Sequence, residues 1–271
     1  MPEPVLSVAA MLAREQRTWD AGVRRESVIR RAGAAVATVV MRLTRPGDPI
    51  LVLCGPGNNG EDAAVCEEHL ADRDSVLVRL GESHGFDAAR QWLDSFHDHP
   101  RATVVDGIFG IGLSREVDGA WADLIGAVNE SGARVFAVDV PSGLDADTGE
   151  VRGVAIRAAV TVTLGAVKRG LLATAAAAHV GRLELAREIG LVSGSEEEGV
   201  GLGWTVPEDF ARFPPARADM SHKGTQGHVA VIAGSLGYHG AAVLAAQGAQ
   251  RAQPGLVTVM TDPRCYEPVR S

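Results

Sequence analysis

Cysteine is scarce in this chain. There are three, Cys54, Cys66 and Cys265, an odd number without CxxC spacing. A disulfide framework and a thiolate zinc site are excluded on that basis, and a reducing cytoplasm is the expected setting. Basic charge is also in deficit: 26 Lys and Arg stand against 34 Asp and Glu, a net charge of −8. A nucleic-acid surface is therefore not expected. An anionic small ligand stays open, because backbone amides and single basic side chains also bind phosphate. No apolar run approaches a membrane span, and the N-terminus lacks a signal-peptide core. Ser142 lies in PSG and not in a G-x-S-x-G elbow, so Ser-His-Asp chemistry has little support. His69, His84, His97, His99 and His179 are scattered and read as surface or packing residues.

What the chain does have is apolar content, 46% over 271 residues, enough for one large α/β domain or for one domain and part of another. Apolar residues at helical spacing (Val8, Met11, Leu12, Trp19) and an Ala/Val-rich stretch from Val28 to Leu43 predict two helices. They read as a packing layer, with a dimer face as the alternative. Strands are expected at 50–53, 75–80, 103–106, 135–139, 161–164 and 183–185. Helices are expected at 63–71, 86–96 and 121–129. Strands alternating with helices imply a parallel sheet covered on both faces, with ligands beyond the carboxyl ends of the strands. Residues 192–203, polar and glycine-rich with Glu196, Glu197 and Glu198 in a row, read as a linker. After it come a strand at 228–233, a helix at 240–252 and a strand at 255–261. That is one βαβ unit, too little to bury both faces of its sheet, so the second domain is expected to be incomplete.

Three strand-end loops could carry chemistry. The first, in ILVLCGPGNNGED (50–62), runs from a strand through Gly55, Gly57 and Gly60 into a helix. Glycines there allow positive φ and close approach of another molecule. A helix N-terminus is a ready anion site. The stretch formally matches G-x-G-x-x-G with Glu82 downstream, a weak dinucleotide signal. Asn58 and Asn59 add side-chain oxygens, which suggests ligation or a hydrogen bond to a ligand. The second loop, DGIFGIGLSRE, starts at Asp106 and the third, DVPSGLDADTG, at Asp139. A carboxylate ending a buried strand is costly unless it meets a cation or several donors. Two such aspartates, an asparagine and Ser142 could converge on a hard cation, with a monovalent ion as plausible as magnesium. Asp139 could alternatively serve as a general acid or base. Asp145 and Asp147 read as exposed turn formers. Lys168, in GAVKRG, reads as solvated, with a phosphate contact as the alternative.

In this order the three loops, GPGNNGEDA, DGIFGIG and DVPSG, resemble the YjeF N-terminal family of NAD(P)H-hydrate epimerases, whose pattern is GxGNNGGDG, D-x-x-F-G-x-G and D-[IV]-P-S-G. REQRTWD and RRAGAAVA resemble the family's first helices, and the likeness extends to about residue 191. Glu61 and Ala63 stand where the family has glycines, a change that would narrow the approach to a nucleotide. The resemblance implies a Rossmann-like three-layer α/β/α sandwich, often dimeric, over residues 1–191, followed by a linker at 192–206. It implies epimerisation of the R and S forms of hydrated NADH and NADPH. Substrate contacts would come from Asn58, Asn59, Gly60, Glu61 and Asp62, and from Gly110, Ile111, Gly112, Leu113, Ser114, Arg115 and Glu116. Asp139 would meet the hydrated nicotinamide as the catalytic residue. One potassium ion would be held by Asn59, Asp106 and Ser142.

Residues 222–261 resemble the start of the partner domain, an ADP- or ATP-dependent NAD(P)H-hydrate dehydratase of ribokinase-like fold, with Gly240 and Ala241 at its hydrate-contacting Gly-Ala. Residues 207–271 would be an incomplete start of that domain. Mg2+ and ADP or ATP would belong only to its complete form. The competing reading, motivated by Glu61 and Ala63, is a Rossmann-like domain that binds a nucleotide or a protein without catalysis.

Overall fold

The computed structural model of the chain describes residues 2–194, 201–213, 216 and 219–270. Glu196, Glu197 and Glu198 of the expected linker lie outside the described residues. Two compact units are present, Met1–Thr205 and Val206–Ser271.

The first unit runs β1 (Glu3–Leu6), α1 (Val8–Asp20), α2 (Arg25–Leu43), β2 (Pro49–Cys54), α3 (Asn58–Glu68), β3 (Asp74–Arg79) and α4 (Gly85–Ser95). It continues β4 (Thr103–Gly107), α5 (Gly119–Glu130), β5 (Arg134–Val138), β6 (Val160–Leu164), β7 (Val167–Lys168), α6 (Ala177–Val180), β8 (Arg182–Ala186) and β9 (Gly203–Trp204). Six strands form one sheet in the order β3-β2-β4-β5-β6-β8, every neighbouring pair parallel.

The apolar run in β2 has a simple cause. Successive side chains of a strand point to opposite faces, and here both faces are covered. Ile50, Val52 and Cys54 pack with Val36 and Val40 of α2 and Cys66 of α3. Leu51 and Leu53 point the other way and pack with Trp92 of α4 and Leu124 of α5. Ile50, Leu51, Leu53 and Phe136 are fully buried, each worth about 1.5–3 kcal/mol relative to exposure. The result is the three-layer α/β/α sandwich with a parallel sheet.

A smaller sheet, order β7-β1-β9, lies outside the expected pattern. β1 pairs parallel with β7 and antiparallel with β9. Residues 203–204, expected as linker, are thus the edge of this small sheet. The other departure is α3, which begins at Asn58, five residues before the expected helix at 63. Gly57 takes an extended N-cap conformation, so the Asn-Asn pair is the first helical turn and not loop.

The second unit holds β10 (His228–Ile232), α7 (His239–Arg251), β11 (Leu256–Met260) and α8 (Tyr266–Arg270). β10 and β11 pair in parallel, the βαβ unit expected from the sequence.

Candidate active site

The chain leaves β2 for β3 on one side and returns to β4 on the other. Strand order therefore reverses between β2 and β4, where doubly wound sheets open a crevice for ligands. The loops after β2, β4 and β5 all emerge at that edge.

The glycines of the first loop serve a purpose other than the one expected. None of Gly55, Gly57 and Gly60 has a positive φ. A Cβ on Gly55 would sit 1.9 Å from Ile108 O, and one on Gly60 would sit 2.0 Å from Gly55 O. It is the chain's own loops that press together here. Gly143, with φ +94°, does require glycine conformationally.

The three loops are tied by hydrogen bonds. Asn59 Nδ2 donates to Phe109 O at 2.9 Å. Phe109 N–H donates to Ser142 Oγ at 2.8 Å, and Ser142 Oγ–H donates to Asp106 Oδ1 at 2.6 Å. Ser142 N–H reaches Asp106 Oδ2 at 2.9 Å, and Ile108 N–H reaches Oδ1 at 3.2 Å. Asp106 is fully buried. Burial pushes its carboxyl up, the Ser142 and Ile108 bonds pull it back, and the balance lies at about 6.

Asp139 follows β5 with φ +65°, a left-handed conformation that costs a non-glycine residue about 1–2 kcal/mol. Its carboxylate is held accordingly. Oδ1 accepts from Leu164 N–H at 2.9 Å and from Lys168 Nζ. Lys168 corrects an expectation. It is fully buried and donates also to Leu164 O at 2.7 Å and Thr163 Oγ1 at 3.2 Å. Its burial comes from β7, which β1 covers at the register Leu6↔Lys168.

Beside Asp139 opens a cavity of about 440 Å3, walled by Met11, Leu12, Glu15 and Trp19 of α1 and by Arg25, Val28 and Ile29 of α2. Of the expected site residues, Asn58, Asn59, Asp62, Gly110, Ile111, Gly112, Leu113, Ser114, Arg115 and Asp139 line it. Gly60, Asp106 and Ser142 are not among its lining residues. Glu61 points away, exposed and paired with Arg79 at 3.1 Å. Ala63 is fully buried in the core beneath β2. Neither residue narrows the cavity, contrary to the expectation from the missing glycines. Glu116 is outside the lining, its Oε2 close to Gly153. Ala241 stands exposed in α7 of the other unit. Asp145 and Asp147 are less free than expected. Asp145 pairs with Arg152, and Asp147 Oδ1 accepts from Val8 N–H at 2.9 Å.

Asp62 is the residue whose state the sequence did not announce. It is 8% exposed, and burial, followed by the charges of Asp139 and Glu15, pushes its carboxyl up to about 8. Burial, followed by the charge of Asp139, shifts Glu15 upward as well, against the pull of Lys168 and Arg25. Carboxyls on an apolar-walled cavity with one lysine among them are the signal, and it exists only in three dimensions.

Among the described residues no three His, Cys, Asp or Glu are grouped to hold a metal ion, and no helix is long and apolar enough to cross a membrane. The oxygens of Asn59, Asp106 and Ser142 carry one formal charge between them. Asn59 uses Nδ2 towards Phe109, which leaves Oδ1 as an acceptor. That donor set fits a monovalent, oxygen-seeking cation better than a divalent one.

Residues 25–170 match the family described as YjeF-related protein N-terminus. The chain is similar to the bifunctional NAD(P)H-hydrate repair enzyme Nnr of Coxiella burnetii, 36% identical over 92% of this chain and 54% of that protein. It is 38% identical to the enzyme of the same name from Pyrobaculum aerophilum, over 97% of this chain and 56% of that one. The NAD(P)H-hydrate epimerase of Limosilactobacillus fermentum is 34% identical over 70% of this chain and 99% of its own length. The chain thus spans about half the length of the bifunctional relatives. Among solved structures, that of yeast ynu0, YNL200c, shares the fold with TM-score 0.57 and 21% identity, covering 75% of this chain and 96% of that one.

Proposed function

The chain belongs to the YjeF-related N-terminal family, and from that premise we propose that residues 1–191 interconvert the R and S forms of hydrated NADH and NADPH. The observation that carries the reading is the meeting of three strand-end loops, through Asn59, Phe109, Ser142 and Asp106, beside an apolar cavity floored by Asp139.

The hydrate bears a hydroxyl on C6, next to the ring nitrogen. When that hydroxyl leaves, the nitrogen lone pair forms a planar cationic C=N bond. Water returning to either face sets either hand at C6. The apolar walls from α1 and α2 suit the reduced ring. The carboxylate of Asp139 favours the cation, and the acceleration is electrostatic. The first-turn amides of Asn58 and Asn59, free of intrahelical partners by position, suit the phosphates, as do the glycine-rich residues 110–114 and the Arg115 side chain. Asn59, Asp106 and Ser142 would hold a potassium ion, which would supply positive charge near the phosphates and order the three loops. A homodimer is part of the proposal, with light scattering as its check.

Replacement of Asp139 by Asn tests the assignment. Binding of the hydrate should stay within a few-fold while interconversion, followed by NMR or chiral chromatography, falls by about a hundredfold or more. A variant that interconverts the epimers at the wild-type rate removes Asp139 from the mechanism.

A further inference from the structure

Three carboxyl groups face the cavity, and they are not equivalent. Asp139 is ion-paired with Lys168 and hydrogen-bonded by Leu164 N–H. Glu15, on α1, is partly exposed. Asp62, in the second turn of α3, is more than nine-tenths buried and lines the cavity, and its side chain makes no hydrogen bond or ion pair among the described residues. An unpaired, desolvated carboxylate beside two others is a high-energy arrangement, and such groups hold their proton instead. Asp139, by contrast, has a cation and a backbone N–H as partners. Two acidic groups in one site with opposed environments divide acid and base work between them.

The departure of a hydroxyl needs a proton. Hydroxide is a poor leaving group, whereas water is a good one. We propose that Asp62 is the proton carrier of the epimerisation: a neutral carboxylic acid that touches the C6 hydroxyl and gives it the proton with which it leaves as water. The proposal rests on the reading of the site as an NAD(P)H-hydrate epimerase and adds to it a second catalytic residue.

The step balances. The C6–O bond breaks and its electron pair goes to the oxygen, which takes the Asp62 proton. The ring-nitrogen lone pair becomes the second bond of C=N. Asp62 is left as a carboxylate, and Asp139 supplies a further negative charge to the cation. In the return step a water adds to C6 from either face, its proton goes back to Asp62, and the nitrogen recovers its lone pair. No oxidant, reductant or co-substrate is consumed.

The groups that set the proton affinity of Asp62 come from four elements: Asp139 after β5, Glu15 on α1, Lys168 in β7 and Glu61 on its own helix α3. The first two and Glu61 raise it, and Lys168 lowers it. Burial is the largest influence, and the net upward shift to about 8 leaves the acid protonated at neutral pH. Above that pH the proton is lost and the acid step fails.

The test is the pH dependence of R-to-S interconversion, by proton NMR, in wild type, Asp62→Asn and Asp62→Glu. Wild-type kcat should bend downward near pH 8. Asp62→Asn should lose about a hundredfold or more in kcat, with KM little changed and no bend in the residual rate. Asp62→Glu should restore part of the rate together with the bend. Carbon-13 NMR of aspartate-labelled protein reads the proton directly. One carboxyl should titrate near 8 in wild type and be missing from Asp62→Asn. An Asp62→Asn protein with wild-type kcat and an unchanged bend overturns the proposal, as does one that loses only KM. Absence of any high-titrating carboxyl attributable to Asp62 does the same, independently of activity. A wild type that leaves the epimer ratio at the rate of buffer alone, yet shows that carboxyl, removes the epimerase reading and with it the catalytic role, while the buried acid stands.

Discussion

Lys168 and Asp62 sit on opposite sides of one electrostatic balance. Lys168 is one of two lysines in the chain and is wholly enclosed, with three oxygens around its Nζ. Removing one partner of such a pair leaves an uncompensated charge. Lys168→Met should therefore cost about 3–5 kcal/mol, read from urea denaturation, and combining it with Asp139→Asn should recover part of the loss. Asp62 behaves in the opposite way. In the folded chain it keeps its proton up to about 8, while the unfolded chain releases it near the ordinary carboxylate value. Stability contributed by the protonated form is complete at acid pH and falls as pH rises through that window. Asp62→Asn does not titrate, so its stability advantage should be near zero at about pH 4 and grow by up to about 1.4 kcal/mol per pH unit towards pH 8. Thermal melts across pH would show it, and a difference constant with pH would contradict it. The strand-end acids Asp106 and Asp139 were legible in the sequence because a polar residue beside glycine after an apolar run has few other uses. Lys168 was not, because its burial depends on β1, four residues separated from it by some 160 positions.

At the scale of elements, the strand–helix transition at β2 and α3 organises the site. Gly60 lies in the first turn of α3, and any side chain there would strike Gly55 O at 2.0 Å. Gly57 faces open space. Gly60→Ala should thus cost about 2–4 kcal/mol and displace Asn59 from Phe109, whereas Gly57→Ala should cost about 1 kcal/mol or less. Equal urea midpoints for the two variants would contradict the packing account. The sequence marked this stretch correctly as the centre of the chain. It misplaced the start of the helix, since Gly and Asn have the same local preferences in a loop and at a helix N-terminus. The extended N-cap conformation of Gly57, beside a Gly55 pressed against Ile108 of the neighbouring loop, decides between them.

For the whole molecule, the α/β class was readable from apolar runs alternating with helical periodicity, because both faces of the sheet are covered and the central strand β2 is apolar throughout. The strand order was not readable. It is set by which long-range pairings bury most surface, and local propensity carries no record of them. The small β7-β1-β9 sheet is the clearest case, joining residues 3–6, 167–168 and 203–204. All residues assigned to the cavity belong to the first unit. A chain ending at Thr205 should fold and keep the epimerisation rate within about twofold, as expected of a self-contained domain. Loss of folding on that cut would show that the site depends on residues beyond it.

Epimerisation by this chain is read most directly by incubating the purified protein with the R epimer of hydrated NADH and following it by NMR, with potassium present and with lithium in its place. With potassium the R epimer should pass rapidly into a mixture of R and S, and with lithium much more slowly. An R signal that decays no faster than in buffer, with either cation, would contradict it.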